Sequence, residues 1–200
     1  MRGQSRTRSI VLCGLSIALL AVGAFVTVPV PLGLTPFTLQ TMMLFIILMV
    51  LSPTEAFIAV AGYLLLGALG LPIFSGMTGG FAKLIGPTGG FLVGYLVAAL
   101  AVGGMRVLFM RNGGCGAKKE RLQKVWRIAF DVLMILLACV LFFTLGTIWY
   151  SVNMGVDLAA ALVACVLPFV VTEPIKIAVA VVCIQPVRHA LGLNTSLEKD

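Results

Sequence analysis

The sequence predicts an all-α membrane protein, a bundle of six transmembrane helices with both termini on the cytoplasmic side, and three features carry that prediction. Composition is the first: of 200 residues 60% are hydrophobic and 10% charged, with a mean hydropathy of +1.14, whereas soluble domains carry about 25% charged residues. The second is the recurrence of apolar runs approaching the length needed to cross ~30 Å of hydrocarbon at ~1.5 Å per residue. The third is where the fourteen Lys and Arg residues fall. Arg2, Arg6 and Arg8 precede the first run; Arg106, Arg111, Lys118, Lys119, Arg121, Lys124 and Arg127 separate the fourth from the fifth; Arg188 and Lys199 follow the sixth. Six spans set these three groups on one side, and the positive-inside bias makes that side cytoplasmic.

The first span reads from Ile10 to Thr27. A basic start also suits a secretory signal, but the run exceeds the ~7–15 residues of a signal h-region and leads into Pro-Val-Pro-Leu-Gly-Leu-Thr-Pro without a clear small-x-small cleavage site. It is read as a retained span. Gly14, Ala18 and Ala21 follow a small-residue spacing that lets another helix approach closely, although small residues are common in any membrane helix. Pro29 to Pro36 forms a proline-rich loop, and the second span covers Phe37 to Leu51. Gln40, one turn in, either bonds a neighbouring helix or faces a cavity. Ser52-Pro53-Thr54-Glu55 places a proline and an acid where a helix start favours them, so the third span runs from Glu55 to Leu71 with Tyr63 inside it.

Between Gly76 and Gly90 six of fifteen positions are glycine, which argues for a shaped loop rather than a spanning helix or a strand. Irregular backbone beside hydrocarbon is tolerated where it is buried in protein or lines a cavity. Lys83 lies in this loop, although the membrane pattern does not require it. The fourth span follows from Gly90 to Phe109 and the fifth from Ile128 to Trp149, with Trp149 and Tyr150 as an interfacial pair. Asp131 is expected to pair with the adjacent basic loop. Leu158 to Leu167 reads as a short outer helix. After a bend, the sixth span runs from Thr172 to Pro186, with Thr172 as its cap and Glu173 and Pro174 in its first turn.

Lys83 and Lys176 are the two cations outside the cytoplasmic set, and both fall toward the outer face. Glu173 and Lys176 are three residues apart and project from one helical face. They form either a mutually neutralised pair that fixes a helix end or a polar ligand site, the default for intramembrane charge. Such a pair suits a ligand offering both donors and acceptors. No Gly-x-x-x-x-Gly-Lys-Ser/Thr stretch occurs, so the chain is no ATPase by that route. The five cysteines and the lone His189 show no metal-ligand spacing, and no nucleophile and base stand together. The basic segment lacks the aromatic interleaving of a nucleic-acid surface. The chain reads as a binder or carrier in contact with membrane lipid.

Four stretches then carry a resemblance: Phe37-Thr38-Leu39-Gln40-Thr41, the run from Tyr63 to Phe74, Gly86-Pro87-Thr88-Gly89-Gly90-Phe91, and Pro168-Phe169 followed by Glu173 and Lys176. Together they resemble the biotin-transporter family BioY, the substrate-binding S components of prokaryotic energy-coupling factor (ECF) transporters, over nearly all of Ile10 to Val187. One departure is that the family usually has aspartate where this chain has Glu173. The resemblance implies a six-helix S-component bundle in the plasma membrane. It would capture biotin from outside and pass it inward when docked on a transmembrane coupling subunit driven by two ATPase subunits. It implies a docking face at Gly14 and Ala18. Glu173 would accept from the ureido nitrogens, and Lys176 would bind the ureido oxygen or the valerate. Lys83 and the backbone N–H groups of Gly79, Gly80, Thr88 and Gly89 become candidates for a remaining anion, and Tyr63 for a ring contact. The alternatives are an S component for another vitamin and a structural membrane protein without a ligand. Valine at Gly89 and Gly90 is expected to separate the scaffold from the binders.

Overall fold

The computed structural model describes residues 2–28, 37–111 and 120–192. The proline-rich stretch 29–36, the stretch 112–119 with Lys118 and Lys119, and the tail with Lys199 lie outside the described residues. Eight helices occur among the described residues: α1 Arg2–Phe25, α2 Gln40–Val50, α3 Pro53–Ala68, α4 Phe81–Ile85, α5 Gly89–Arg111, α6 Glu120–Met154, α7 Leu158–Cys165 and α8 Phe169–Ala190. Two short strands, β1 Thr27–Val28 and β2 Phe37–Thr38, pair antiparallel between α1 and α2.

Long helices alternate in direction, and hydrogen bonds gather at the two ends of the bundle. At one end Ser9 Oγ donates to Glu55 Oε1 at 2.5 Å, Arg8 to the Leu191 carbonyl, and Arg188 to Asp131. At the other, Trp149 Nε1 donates to the Gly86 carbonyl at 2.9 Å and Asn153 Nδ2 to the Ile85 carbonyl at 2.8 Å. The apolar runs Arg6–Phe25, Gly89–Phe109, Val125–Met154 and Phe169–Ala190 are long enough to cross a bilayer. The helices α2 and α3, with 11 and 16 residues, are shorter and rise only ~16 and ~24 Å. The expected second span loses its first turn because Phe37 and Thr38 pair with the strand that follows α1.

The start of α3 follows local rules. Ser52 accepts from the Glu55 N–H, the Glu55 side chain accepts from the Ser52 N–H, and Pro53 opens the helix, a reciprocal cap that satisfies two otherwise orphaned donors. Toward the middle of the bundle, α2 buries Leu44, Phe45, Ile47 and Leu48 against α8 and α1, while α3 packs on α5, and α5 on α6. Glycines set the distance between α5 and α6: a Cβ at Gly90 would lie 2.2 Å from Trp149 Cβ, and one at Gly94 would lie 2.7 Å from Phe142 Cα. Small residues four apart let the two backbones touch.

Four local expectations are corrected. The glycine-rich segment is not wholly loop, since it carries the short helix α4 and a bridge between Phe74 and Thr78. Helix α8 begins at Phe169, not Thr172. Phe169 N–H donates to the Val166 carbonyl and Val170 N–H to that of Leu167, so a tight turn from α7 already launches the helix. Thr172 therefore caps nothing and donates to the Phe169 carbonyl, and Pro174 lies inside the helix. Ala21 shares the helical face of Gly14 and Ala18 but not its exposure: those two are exposed, while Ala21 is buried in the core.

Asp131 pairs across the bundle rather than with the basic loop. Arg188 grips it with two bonds of 2.7 and 2.8 Å and donates a third, at 2.7 Å, to the Met49 carbonyl. Arg106 is likewise no loop residue, since it lies in α5 and donates to the carbonyls of Leu48 and, at 2.9 Å, Leu51. These two arginines satisfy the carbonyls that end α2, which would otherwise be orphaned inside the bundle.

Candidate substrate-binding site

A cleft of about 560 Å³, measured out to the solvent at its mouth, opens at the end of the bundle that carries α4. Its floor is polar. Lys176 Nζ lies 2.6 Å from Glu173 Oε1, and Thr41 joins both, donating to Glu173 Oε1 at 3.1 Å and accepting from Lys176 Nζ at 3.0 Å. Their relative exposures are 4% for Lys176, 6% for Glu173 and 7% for Thr41. Glu173 Oε2 is buried and has no hydrogen-bond partner among the described residues. An ionic oxygen left in this state is costly unless something fills it. Phe37 faces Lys176, with Nζ 4.3 Å from the ring centroid, which helps to hold an ammonium away from water.

Aromatic walls rise from this floor. Phe74, Phe91, Tyr95, Phe142, Phe143 and Phe169 line the cleft, with Tyr95 set edge-on to Phe142 at 5.4 Å. The Tyr95 hydroxyl makes no hydrogen bond among the described residues. Ser75, Lys83 and Thr88 also line the cleft, and the Lys83 ammonium forms no ion pair or hydrogen bond among the described residues. Apolar walls and a few convergent polar groups are what a ligand pocket requires.

Of the residues singled out from the sequence, Glu173, Lys176, Gln40, Lys83 and Thr88 come together here. Gln40 does both things expected of it, lining the cleft and donating to the Tyr63 hydroxyl at 2.9 Å. Tyr63 stands behind the wall instead of forming it: it is fully buried, it donates to the Ile73 carbonyl at 2.7 Å, and its ring meets Phe74. Two of the three glycine amides are already taken. Gly80 N–H is taken by the Gly67 carbonyl at 2.7 Å and Gly89 N–H by that of Gly86 at 2.9 Å, while Gly79 packs against the Leu71 carbonyl. None of these three lines the cleft.

Sequence reasoning missed Thr38, Thr41, Ser75 and Tyr95. Thr38 and Thr41 flank Gln40 in a polar cluster ahead of an apolar run, a signal that was present. Tyr95 gave none, because a tyrosine within an apolar helix reads equally well as core. Gly14 and Ala18 lie far along α1 from the cleft, on an open face where a Cβ at Gly14 would meet nothing within 4 Å.

Fold and site together define a helical membrane protein built to hold a small ligand that is polar at one end. The BioY family profile matches residues 1–193. The biotin transporter BioY2 of Lactococcus lactis subsp. cremoris is 34% identical over 166 residues, 80% of this chain and 83% of that protein. The biotin transporter BioY of Thermotoga maritima is 44% identical over 96 residues, 48% of this chain and 56% of that protein. A crystal structure of the S-component for biotin from an ECF-type ABC transporter superposes with a TM-score of 0.81, covering 94% of this chain and 95% of that one, and its 22% identity speaks to the fold. The chain belongs to the BioY family.

Proposed function

We propose that this chain is the biotin-capturing S component of an ECF-type vitamin transporter, with residues 1–200 forming one membrane domain of six spans in a prokaryotic plasma membrane. It is no enzyme. Its cleft faces outward and both termini face the cytoplasm, an orientation supported by the segregation of Arg and Lys residues at the opposite end. The observation that carries the reading is the buried Oε2 of Glu173, without a hydrogen-bond partner among the described residues, beside Lys176 at the floor of an aromatic cleft. Biotin offers a ureido group with two N–H donors and a carbonyl, an apolar bicycle for the aromatic walls, and a carboxylate at the end of a flexible chain.

In this reading the ureido ring sits on the floor and the valerate points to the mouth, where Lys83 carries an unneutralised charge and Thr88 and Ser75 carry hydroxyls. Lys176 then serves the ureido oxygen, because its charge is already matched by Glu173. Delivery inward uses a transmembrane coupling subunit and two ATPase subunits, with Gly14 and Ala18 on the exposed face of α1 as the docking surface. The test is calorimetric titration of the detergent-purified chain with biotin and with its carboxamide. Tight biotin binding supports the reading. A folded sample that ignores biotin overturns it, and a binding response to a different vitamin would replace it.

A further inference from the structure

We infer that Thr41, on α2, is a positioning residue that decides which atoms of the Glu173–Lys176 pair are turned toward the ligand. This inference rests on the biotin reading above. A glutamate and lysine three apart on one helix could meet in several ways, since each has several rotatable bonds and the carboxylate has two equivalent oxygens. Thr41 removes that freedom from another helix. Its single proton goes to Glu173 Oε1 at 3.1 Å and its lone pair takes one N–H of Lys176 at 3.0 Å, while Lys176 itself spends a second N–H on the same Oε1 at 2.6 Å.

The remaining inventory follows by counting. Oε1 already accepts two bonds, and Oε2 accepts none. An ammonium has three N–H donors, and two are used. By this count one carboxylate oxygen and one ammonium N–H at the cleft floor, an acceptor and a donor, have no hydrogen-bond partner among the described residues. That pair complements an adjacent N–H and C=O, the edge of a cyclic urea or lactam. It does not complement a cyclic guanidinium, which presents donors only and brings a positive charge toward Lys176. Thr41 is buried and 132 positions from Glu173, so a hydroxyl placed there on the ladder of α2 holds this division in place before any ligand arrives. Pre-organisation of this kind raises affinity by removing the cost of ordering the pair.

Thr41→Val replaces the hydroxyl with a methyl of similar size, Thr41→Ser keeps the hydroxyl and drops the methyl, and Thr41→Ala provides a second hydroxyl-free variant if the valine chain does not fold. Each purified variant is titrated with biotin, and its thermal midpoint is measured without ligand. The wild type is also titrated with desthiobiotin, which keeps the ureido ring, and 2-iminobiotin, which replaces it by a cyclic guanidinium. The inference expects Thr41→Val and Thr41→Ala to bind biotin about tenfold more weakly, as loss of hydrogen bonds to charged groups does. It expects Thr41→Ser to bind like the wild type, and the wild type to take desthiobiotin and refuse 2-iminobiotin. Wild-type affinity in the hydroxyl-free variants, a serine variant as weak as the valine one, or tight binding of 2-iminobiotin overturns the inference while leaving the biotin reading standing. A wild type that does not bind biotin overturns both.

Discussion

Glu173 Oε2 is the atom on which the proposed recognition turns, for it is a buried carboxylate oxygen with no donor to accept from among the described residues. Replacing Glu173 by alanine strands the Lys176 ammonium, and replacing Lys176 strands the carboxylate. Either change should weaken biotin binding by about tenfold or more, since each removes a charge-assisted hydrogen bond to the ureido group, worth about 1.5–3 kcal/mol. Calorimetry reads this directly, and unaltered affinity in both variants would refute the assignment. Lys83 offers a separable test, because it lines the same cleft but its ammonium is joined to no other group among the described residues. Lys83→Met should lower affinity for biotin about tenfold, the worth of one charge-assisted hydrogen bond, and leave affinity for the carboxamide unchanged. Equal losses for both ligands would place the valerate elsewhere. Residue identity alone led to Glu173, Lys176 and Lys83, because ionisable groups stand out against an apolar background. It could not lead to Thr41 as the link between them, because threonine is unremarkable in any helix and its partners lie 132 and 135 positions away.

Among the elements α2 is the one that the rest of the bundle completes. Its 11 residues rise ~16 Å, so it starts at the cleft floor with Gln40 and Thr41 and ends within reach of the long side chains at the opposite end. There Arg106 from α5 and Arg188 from α8 take the carbonyls of Leu48, Met49 and Leu51, and Asp131 from α6 neutralises Arg188. Breaking this arrangement from one side should be harsh. Arg188→Met leaves Asp131 buried and unpaired and should cost about 3 kcal/mol of stability, read as a lower thermal midpoint in detergent. The double change Asp131→Leu with Arg188→Met should recover part of that loss. A single variant as stable as the wild type would mean the pair is solvated. The α5 glycines matter at the same scale. Valine at Gly89 would collide with the Leu84 carbonyl and valine at Gly90 with Trp149, so both substitutions break packing. They do not separate a binder from a scaffold, contrary to the expectation from the sequence.

At the scale of the whole molecule the proposed orientation yields its own prediction. In a cysteine-free background, Lys83→Cys should react with a membrane-impermeant thiol reagent added outside intact cells, and Arg6→Cys should react only after permeabilisation. The reverse pattern would turn the bundle over and place the cleft on the cytoplasmic side. Uptake should likewise depend on the energising subunits, whereas biotin binding by the purified chain should not. Transport of labelled biotin by vesicles with and without those subunits, compared with titration of the isolated chain, distinguishes the two activities.

Much of this was legible in the sequence because it depends on local or averaged properties. Hydropathy marks the apolar helices, charge segregation suggests their direction, the Ser52–Glu55 box is written in four consecutive residues, and each of the four stretches resembling BioY falls within twelve residues. Helix ends were legible less well. The start of α8 depends on the turn delivered by α7, and the start of α2 on a strand pair with the segment after α1, neither of which propensity can anticipate. What the sequence by itself determined is the class of molecule and the small set of charges available for binding. Only the tertiary structure decided how they are used: that Asp131 answers Arg188, that the amides of Gly80 and Gly89 are already spent on backbone carbonyls, and that Thr41 bonds one oxygen of Glu173 while the other has no partner among the described residues. The physical reason is that a hydrogen bond inside a bundle is a relation between helices. Its partners are chosen by packing distance and burial, and these exist only once the chain has folded.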